Sequence, residues 1–539
     1  MEKHLLMGDE AIAQAAIDAG ISGVYAYPGT PSTEITEYIQ KSEEAKEKNI
    51  RSSWATNEKT AMEGALGMSY AGKRSMVCMK HVGLNVAADA FVNSAITGAN
   101  GGLVVVVADD PSMHSSQNEQ DSRFFGKFAM IPVLEPHHQQ EAYDMVHYAF
   151  DLSEVLKTPV LLRITTRLAH SRAGVAPRLI TREQNELRLP ERLTQFVLLP
   201  SIARENYKTL IHNQEHFKKA ALESGYNSYL KGNDKSLGII ATGIAYNYLQ
   251  ENYPNQEIPY PVLKIGQYPV PNEMLQEIYD ECDELIVFEE GYPLIEEALR
   301  GSLNIGKKIK GRMDGTLAFD GELNPVKVGK ALGFPEPEKR PVPDIVVPRP
   351  PALCAGCPHI DSYKAINEVI AKHYSKGRVF ADIGCYTLGA LPPYSAINTC
   401  VDMGASITMA KGAADAGLVP AIAVIGDSTF THSGITGLID AVNDGSNVTV
   451  FILDNDTTAM TGGQNSAAVG NRLEDIVRGV GVAEEHIRVI RPLKKFHEEN
   501  IQVIEEELNY PGVSVIIPRR ECIVVLDQRM RQKFKDKTQ

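Results

Sequence analysis

The chain has 539 residues, 43% of them hydrophobic and 23% charged, with a formal net charge of −14. That is too long for a single hydrophobic core and suits about three domains of ordinary globular composition. The negative balance excludes a basic nucleic-acid footprint and leaves no cationic face for a membrane. No apolar run approaches the ~20 residues a bilayer-spanning helix needs.

Residues 7–13 (Met-Gly-Asp-Glu-Ala-Ile-Ala) read as the start of an amphipathic helix with no signal peptide before it, so the cytoplasm is the expected compartment. The apolar runs 24–27, 75–79, 103–108 and 160–164 read as buried parallel strands, with helices over 59–71 and 86–97 between them. The charged run 41–48 reads as a solvated helix end. A polar, arginine-rich stretch over 182–206 marks a change of unit. A second α/β unit begins at Ser236, with strands over 237–243 and 284–289. The density of prolines over 335–351 marks an extended linker. A third unit follows, with strands over 379–383, 421–425, 448–453 and 513–517, and the basic end 529–537 reads as a frayed tail. The expected organisation is α/β throughout, with doubly wound domains over 1–190, 191–334 and 352–530 joined by the linker 335–351.

The run 421–425 ends in Gly426-Asp427, and a second apolar run, 447–453, ends in Asp454-Asn455. Both tips then lie at the carboxyl ends of parallel strands, where open α/β sheets bind ligands. A carboxylate and an amide oxygen there suit a hard divalent cation, and Mg²⁺ completes its shell with phosphate and water. Gly426 is expected to give a tight turn and close backbone approach. This pattern resembles the diphosphate-binding signature of thiamine diphosphate (ThDP) enzymes. The resemblance implies that Asp427, Asn455 and the carbonyl of Thr457 hold Mg²⁺, with Gly426 and Ser428 in the cofactor loop. Ser428 departs from the glycine usual at its position. A plain α/β crossover with polar strand ends would share the pattern.

ThDP also needs a carboxyl group against its aminopyrimidine ring, for proton exchange in a site poor in water. Glu58, in Trp54-Ala55-Thr56-Asn57-Glu58, stands where a strand enters a helix. This segment resembles the pyrimidine-domain glutamate segment of the 2-oxoacid:ferredoxin oxidoreductases. Glu63 is the competing acid, and a first-turn acid favoured by the helix dipole is the plainer reading. Tyr27-Pro28-Gly29-Thr30-Pro31-Ser32 resembles a family segment whose threonine, here Thr30, faces the 2-oxo acid, although a turn and helix cap would look the same. His81 follows a strand and could lie near the thiazolium or be a buried structural histidine, and His432 is equally open.

Cys354-Ala355-Gly356-Cys357 opens the third unit, Cys385 ends a strand, and Cys522 follows another. Four thiolates suit a [4Fe–4S] cluster or a structural zinc. Cys78, Cys282 and Cys400 have no partner pattern and read as core residues. The order of the four cysteines around the ThDP motif resembles the proximal-cluster set of the 2-oxoacid:ferredoxin oxidoreductases. With the segments 351–359, 382–389 and 426–434, the chain is identified as resembling the alpha subunits of their indolepyruvate branch, which often carry a further ferredoxin-like domain. This sequence ends at Gln539, shortly after Cys522, without the cysteine-rich motifs of such a domain.

The resemblance implies oxidative decarboxylation of a 2-oxo acid, an arylpyruvate such as indolepyruvate, to an acyl-CoA and CO₂. It implies ThDP, Mg²⁺ and a [4Fe–4S] cluster as cofactors and coenzyme A as co-substrate. It also implies a smaller beta subunit in an α₂β₂ assembly, ferredoxin or another one-electron carrier, and anaerobic life. A ThDP-dependent non-oxidative decarboxylase, or a non-catalytic subunit with a Cys₄ zinc site, would use subsets of the same residues.

Overall fold

The computed structural model of the chain describes residues 3–301, 306–338, 341–347, 349, 351–468 and 471–536. The protein folds as two compact α/β units, Met1–Arg340 and Pro341–Gln539. Among the described residues no helix is long and apolar enough to cross a membrane.

The first unit holds two larger sheets and a two-stranded antiparallel one, His4–Met7 with Arg172–Val175. One has seven strands in the order Gln267–Tyr268, Val133–Leu134, Val160–Thr165, Leu103–Asp109, Ser75–Lys80, Gly23–Ala26, Arg51–Trp54. All run parallel except Gln267–Tyr268 at one edge. Leu103–Asp109 and Val160–Thr165 are buried at every position, as continuous apolar runs must be when helices cover both faces. The second sheet has the order Ile309–Lys310, Glu284–Phe288, Leu237–Thr242, Val262–Ile265, Ser228–Leu230. The expected domains 1–190 and 191–334 both lie in this unit. Just beyond Val262–Ile265, the chain crosses over so that Gln267–Tyr268 pairs with Val133–Leu134 of the other sheet.

A buried ionic network joins the two sheets. Arg163, on a central strand of the first, binds Asp109 at 2.7 Å, contacts Glu135, and donates to the carbonyl of Glu290 at 2.8 Å. Arg123 pairs with Asp121 at 2.5 Å and reaches Glu289 at 3.1 Å. Burial pushes the carboxyls of Glu289 and Glu290 up to about 7. Charges this deep persist only when paired and hydrogen-bonded.

Several local readings need correction. Helix Gly8–Asp18 is buried on nearly every side rather than amphipathic, because the helices Thr33–Lys41 and Gln139–Leu156 enclose it. Helix His81–Thr97 begins a full turn before position 86. The stretch 182–206 is not a bare connector. The Arg182 amide donates to Asp18 and that of Arg188 to Ala71, at 2.7 and 3.0 Å, and the Arg182 guanidinium pairs with Asp151 and Glu154. Its end opens the 24-residue helix Pro200–Glu223, which begins with proline in its first turn. Cys400 is exposed rather than core, whereas Cys78 and Cys282 are buried. The basic end continues helix Ile523–Asp536 instead of fraying, and residue 537 lies outside the described residues. The described part of 335–351 has no helix or strand and is exposed, and residues 339, 340, 348 and 350 of it lie outside the described residues.

The second unit is a six-stranded parallel sheet in the order Thr399–Cys400, Val379–Ala381, Ala421–Gly426, Val448–Leu453, Val513–Pro518, Ile487–Ile490. The chain winds outward from Val379–Ala381 first one way, then the other. The boundary between that strand and Ala421–Gly426 is therefore the switch point at which such sheets open a ligand crevice.

Candidate functional site

In the second unit the sheet register places the motif tips side by side. Gly426 pairs with Leu453, so Asp427 and the segment Asp454-Asn455 leave the carboxyl edge at one level. Asp427 is 2% exposed. Its Oδ1 accepts from the Ser428 amide at 2.8 Å, while Oδ2 is buried with no hydrogen-bond partner. Burial pushes this carboxyl up to about 8, and the Asp454 carboxylate adds to the shift. Asn455 and Thr457 are buried beside it, and Asn455 Oδ1 accepts from the Thr457 amide at 3.3 Å. The Ser428 and Thr458 hydroxyls meet at 2.8 Å and tie the two motif loops together. Ser428 thus makes a contact that a glycine there could not. A bare carboxylate oxygen beside an amide oxygen is the donor set of a hard cation, so these residues fit Mg²⁺.

Gly426 differs from expectation. Its φ is −82°, ordinary extended backbone, so no special turn requires glycine. A Cβ there would lie 2.7 Å from Cε1 of Tyr386, and the ring excludes any side chain. Tyr386 hydrogen-bonds the buried Asp382, which also accepts from the Ser406 hydroxyl at 2.6 Å. The helix after Asp427 continues to Asn443 with one widened π turn over Phe430–Gly434. Such turns recur at functional sites, and this one carries His432, which is buried and 2.5 Å from the Ser433 hydroxyl.

The four cysteines named from the sequence, Cys354, Cys357, Cys385 and Cys522, all lie within this unit. The Cys357 amide donates to the Cys354 carbonyl at 3.0 Å, and Gly356 between them has φ +79°, a left-handed turn suited to glycine. Cys385 leaves the Val379–Ala381 edge of the switch point. Burial pushes the Cys357 thiol up to about 11 and the Cys385 thiol up to about 12. Cys385 also feels the charges of Cys522, Cys357 and Cys354. Such thiols become thiolates together only when a cationic centre offsets their burial and mutual repulsion. Among the described residues no three of these sulfurs lie within 4.8 Å of one another. A tetrahedral zinc with Zn–S near 2.3 Å would hold its sulfurs about 3.8 Å apart.

The segment that carries Cys522 touches the Asp454-Asn455 segment directly. The Cys522 amide donates to the Asn455 carbonyl at 3.1 Å, and the Arg520 amide to the Asp454 carbonyl at 3.0 Å. His359, in the first turn of helix Pro358–His373 that Cys357 precedes, brings Nε2 to 3.4 Å from Asn455 Nδ2. Burial alone pushes this imidazole down to about 4, so it is neutral and can accept from the amide. His359 and Tyr386 stand out in the sequence only through the cysteines near them. Their adjacency to Cys357 and Cys385 was the available signal.

In the first unit Glu58 opens helix Glu58–Tyr70, capped by Asn57, whose side chain accepts from the Thr60 amide at 2.9 Å. Glu58 is buried, and a Cβ on Gly83 would fall 2.5 Å from its Oε1. The carboxyl therefore lies against the first turn of helix His81–Thr97. Glu63 is half-exposed and paired with Lys59 on the surface. His81 is buried, with Nε2 3.1 Å from the Asn118 carbonyl and Nδ1 without a partner. Thr30 sits in a turn closed by the Ser32 hydroxyl donating to the Gly29 carbonyl at 2.9 Å, and its carbonyl accepts from Ser115 at 3.4 Å.

Comparison with known proteins places the chain in a family. Residues 382–517 match the family described as thiamine pyrophosphate enzyme, C-terminal TPP binding domain. Residues 14–206 match pyruvate flavodoxin/ferredoxin oxidoreductase, thiamine diP-bdg. A solved 2-oxoglutarate:ferredoxin oxidoreductase from Magnetococcus marinus shares the fold at TM-score 0.50 and 17% identity, over 61% of this chain and 65% of that one. Fold and site together define a thiamine diphosphate-binding α/β oxidoreductase. The Archaeoglobus fulgidus indolepyruvate oxidoreductase subunit IorA is 38% identical, over 99% of this chain and 89% of that protein. The Pyrococcus horikoshii IorA is 37% identical over 99% and 88%. The chain belongs to the indolepyruvate oxidoreductase IorA group of the 2-oxoacid:ferredoxin oxidoreductase family.

Proposed function

We propose that this chain is the catalytic subunit of an enzyme that oxidatively decarboxylates arylpyruvates such as indolepyruvate to acyl-CoA and CO₂. Electrons leave one at a time through a [4Fe–4S] cluster to ferredoxin. Asp427, Asn455 and the Thr457 carbonyl hold the Mg²⁺ of ThDP, with Gly426 and Ser428 in its loop. Bound ThDP supplies the electron sink for decarboxylation. Glu58 exchanges a proton with the aminopyrimidine ring, Thr30 faces the 2-oxo acid, and His81 offers its free Nδ1 to the reacting end. Residues 1–190 serve as the pyrimidine-binding domain, 191–334 as a transketolase C-terminal-like domain, and 352–530 as the diphosphate-binding domain. A smaller beta subunit completes an α₂β₂ assembly in an anaerobic cytoplasm; that the relatives are named as subunits supports a partner chain.

The observation that carries this reading is the hydrogen bond from the Cys522 amide to the Asn455 carbonyl. It links the loops of these two residues, and a cluster at Cys522 beside Mg²⁺ at Asn455 would suit one-electron transfer out of a ThDP site, which a simple decarboxylase does not need. Anaerobic assay with indolepyruvate, coenzyme A and a viologen acceptor tests it. Acyl-CoA formation coupled to viologen reduction supports the reading. Free aldehyde with no reduction identifies a non-oxidative decarboxylase instead.

A further inference from the structure

A second cluster of ligand-type side chains lies in the first unit and has no part in the chemistry above. Asp9 sits in the first turn of helix Gly8–Asp18, Glu34 in the first turn of helix Thr33–Lys41, and His170 ends helix Thr166–His170. One ligand atom from each lies within 4.8 Å of the others, among the described residues. Asp9 is 0% exposed, and neither of its carboxylate oxygens has a hydrogen-bond partner. Burial pushes its carboxyl well up, and the Glu34 and Glu10 carboxylates add to the shift. Glu10 is engaged by Arg172 at 2.9 Å, and His170 Nε2 stands 3.6 Å from Glu34. The buried thiol of Cys78 feels Asp9 from the sheet below and adds no positive charge.

A fully buried carboxyl with two bare oxygens, set beside a second carboxyl and a histidine that is drawn to that second carboxyl, lacks a positive partner of its own. We propose that Asp9, Glu34 and His170 bind a divalent first-row cation such as Mn²⁺ or Zn²⁺. Two carboxylate oxygens and one imidazole nitrogen are a donor set for these metals, with remaining positions filled by water. Glu34 and His170 are each about one-third exposed in their side chains and form the entry to the site. The ion joins three helix ends that are far apart in sequence. Glu34 directly follows the Gly29–Thr33 turn, where the Thr33 hydroxyl accepts from the Gly29 amide at 3.0 Å. The cation is therefore structural, and it fixes the turn that carries Thr30. This proposal stands independently of the ThDP reading.

The test uses the full chain, purified anaerobically with ThDP and Mg²⁺ saturating, as wild type, Asp9→Asn and His170→Gln. Each is dialysed against Mn²⁺ and, separately, Zn²⁺, and bound metal is measured together with the thermal midpoint. Wild type should hold about one equivalent more than either variant with at least one of the two metals, and that metal should raise its midpoint but not theirs. Equal metal in all three proteins with both ions overturns the proposal. So does an Asp9→Asn variant as stable as wild type that binds the same metal, because an Asp9 carboxyl that keeps its own proton would behave that way. His170→Gln removes a partly exposed group and keeps the test decisive if Asp9→Asn does not fold.

Discussion

The backbone amide of Cys522 donates to the carbonyl of Asn455 at 3.1 Å. Because the bond is made by main-chain atoms, the Cys522 side chain can be changed without removing it. Cys522→Ser should therefore lose the cluster while leaving ThDP binding nearly intact. Iron content and electron transfer to ferredoxin should collapse, and the ThDP dissociation constant should change less than about tenfold, a shift of under about 1.4 kcal/mol. Equal loss of both would show that the loops do not act separately.

Asp427 has its carboxyl raised to about 8 by burial. Below that pH the metal-free protein holds it neutral, and Mg²⁺ must displace the proton. Affinity for Mg²⁺ with ThDP should rise with pH up to about 8 and then level off, with close to one proton released per site near neutrality. Calorimetry in buffers of different ionisation enthalpy measures that proton. Asp427→Asn should bind Mg²⁺ weakly and without this pH dependence.

Gly83 leaves room for Glu58, since a Cβ would approach Oε1 to 2.5 Å. Gly83→Ala should displace the carboxyl and lower kcat by about 10² or more, toward the effect of Glu58→Gln, as expected for a proton-transfer group. ThDP should remain bound in both. Glu63→Gln, at a surface pair, should be nearly silent.

Arg163 neutralises Asp109 and Glu135 with no exposure to solvent. Arg163→Met removes one partner of a buried ionic set and should cost about 3–5 kcal/mol. Chemical denaturation of the first unit reads this directly, and a loss under about 1 kcal/mol would mean that water replaces the guanidinium.

Much of this architecture was legible because strand runs such as 103–108 and 448–453 are continuous and apolar, and the Gly-Asp and Asp-Asn tips end such runs. The cysteine spacing was legible because Cys-x-x-Cys closes a local turn on Gly356. What stayed hidden depends on contacts distant in sequence. The role of Gly426 is set by the ring of Tyr386, on a different loop, and not by its own φ. The neutral His359 meets Asn455 across 96 residues. Helix Pro200–Glu223 was missed because its arginine-rich approach reads as a connector, although acidic partners on Asp151 and Glu154 hold it down.

Iron, acid-labile sulfide and zinc measured on anaerobically purified protein test the central claim most directly. The account predicts about four iron and four sulfide per chain. Their visible absorption should bleach when a 2-oxo acid is added to the ThDP-loaded protein, and both elements should be lost in Cys385→Ser. One zinc per chain with no iron, and no spectral response to the acid, would contradict it.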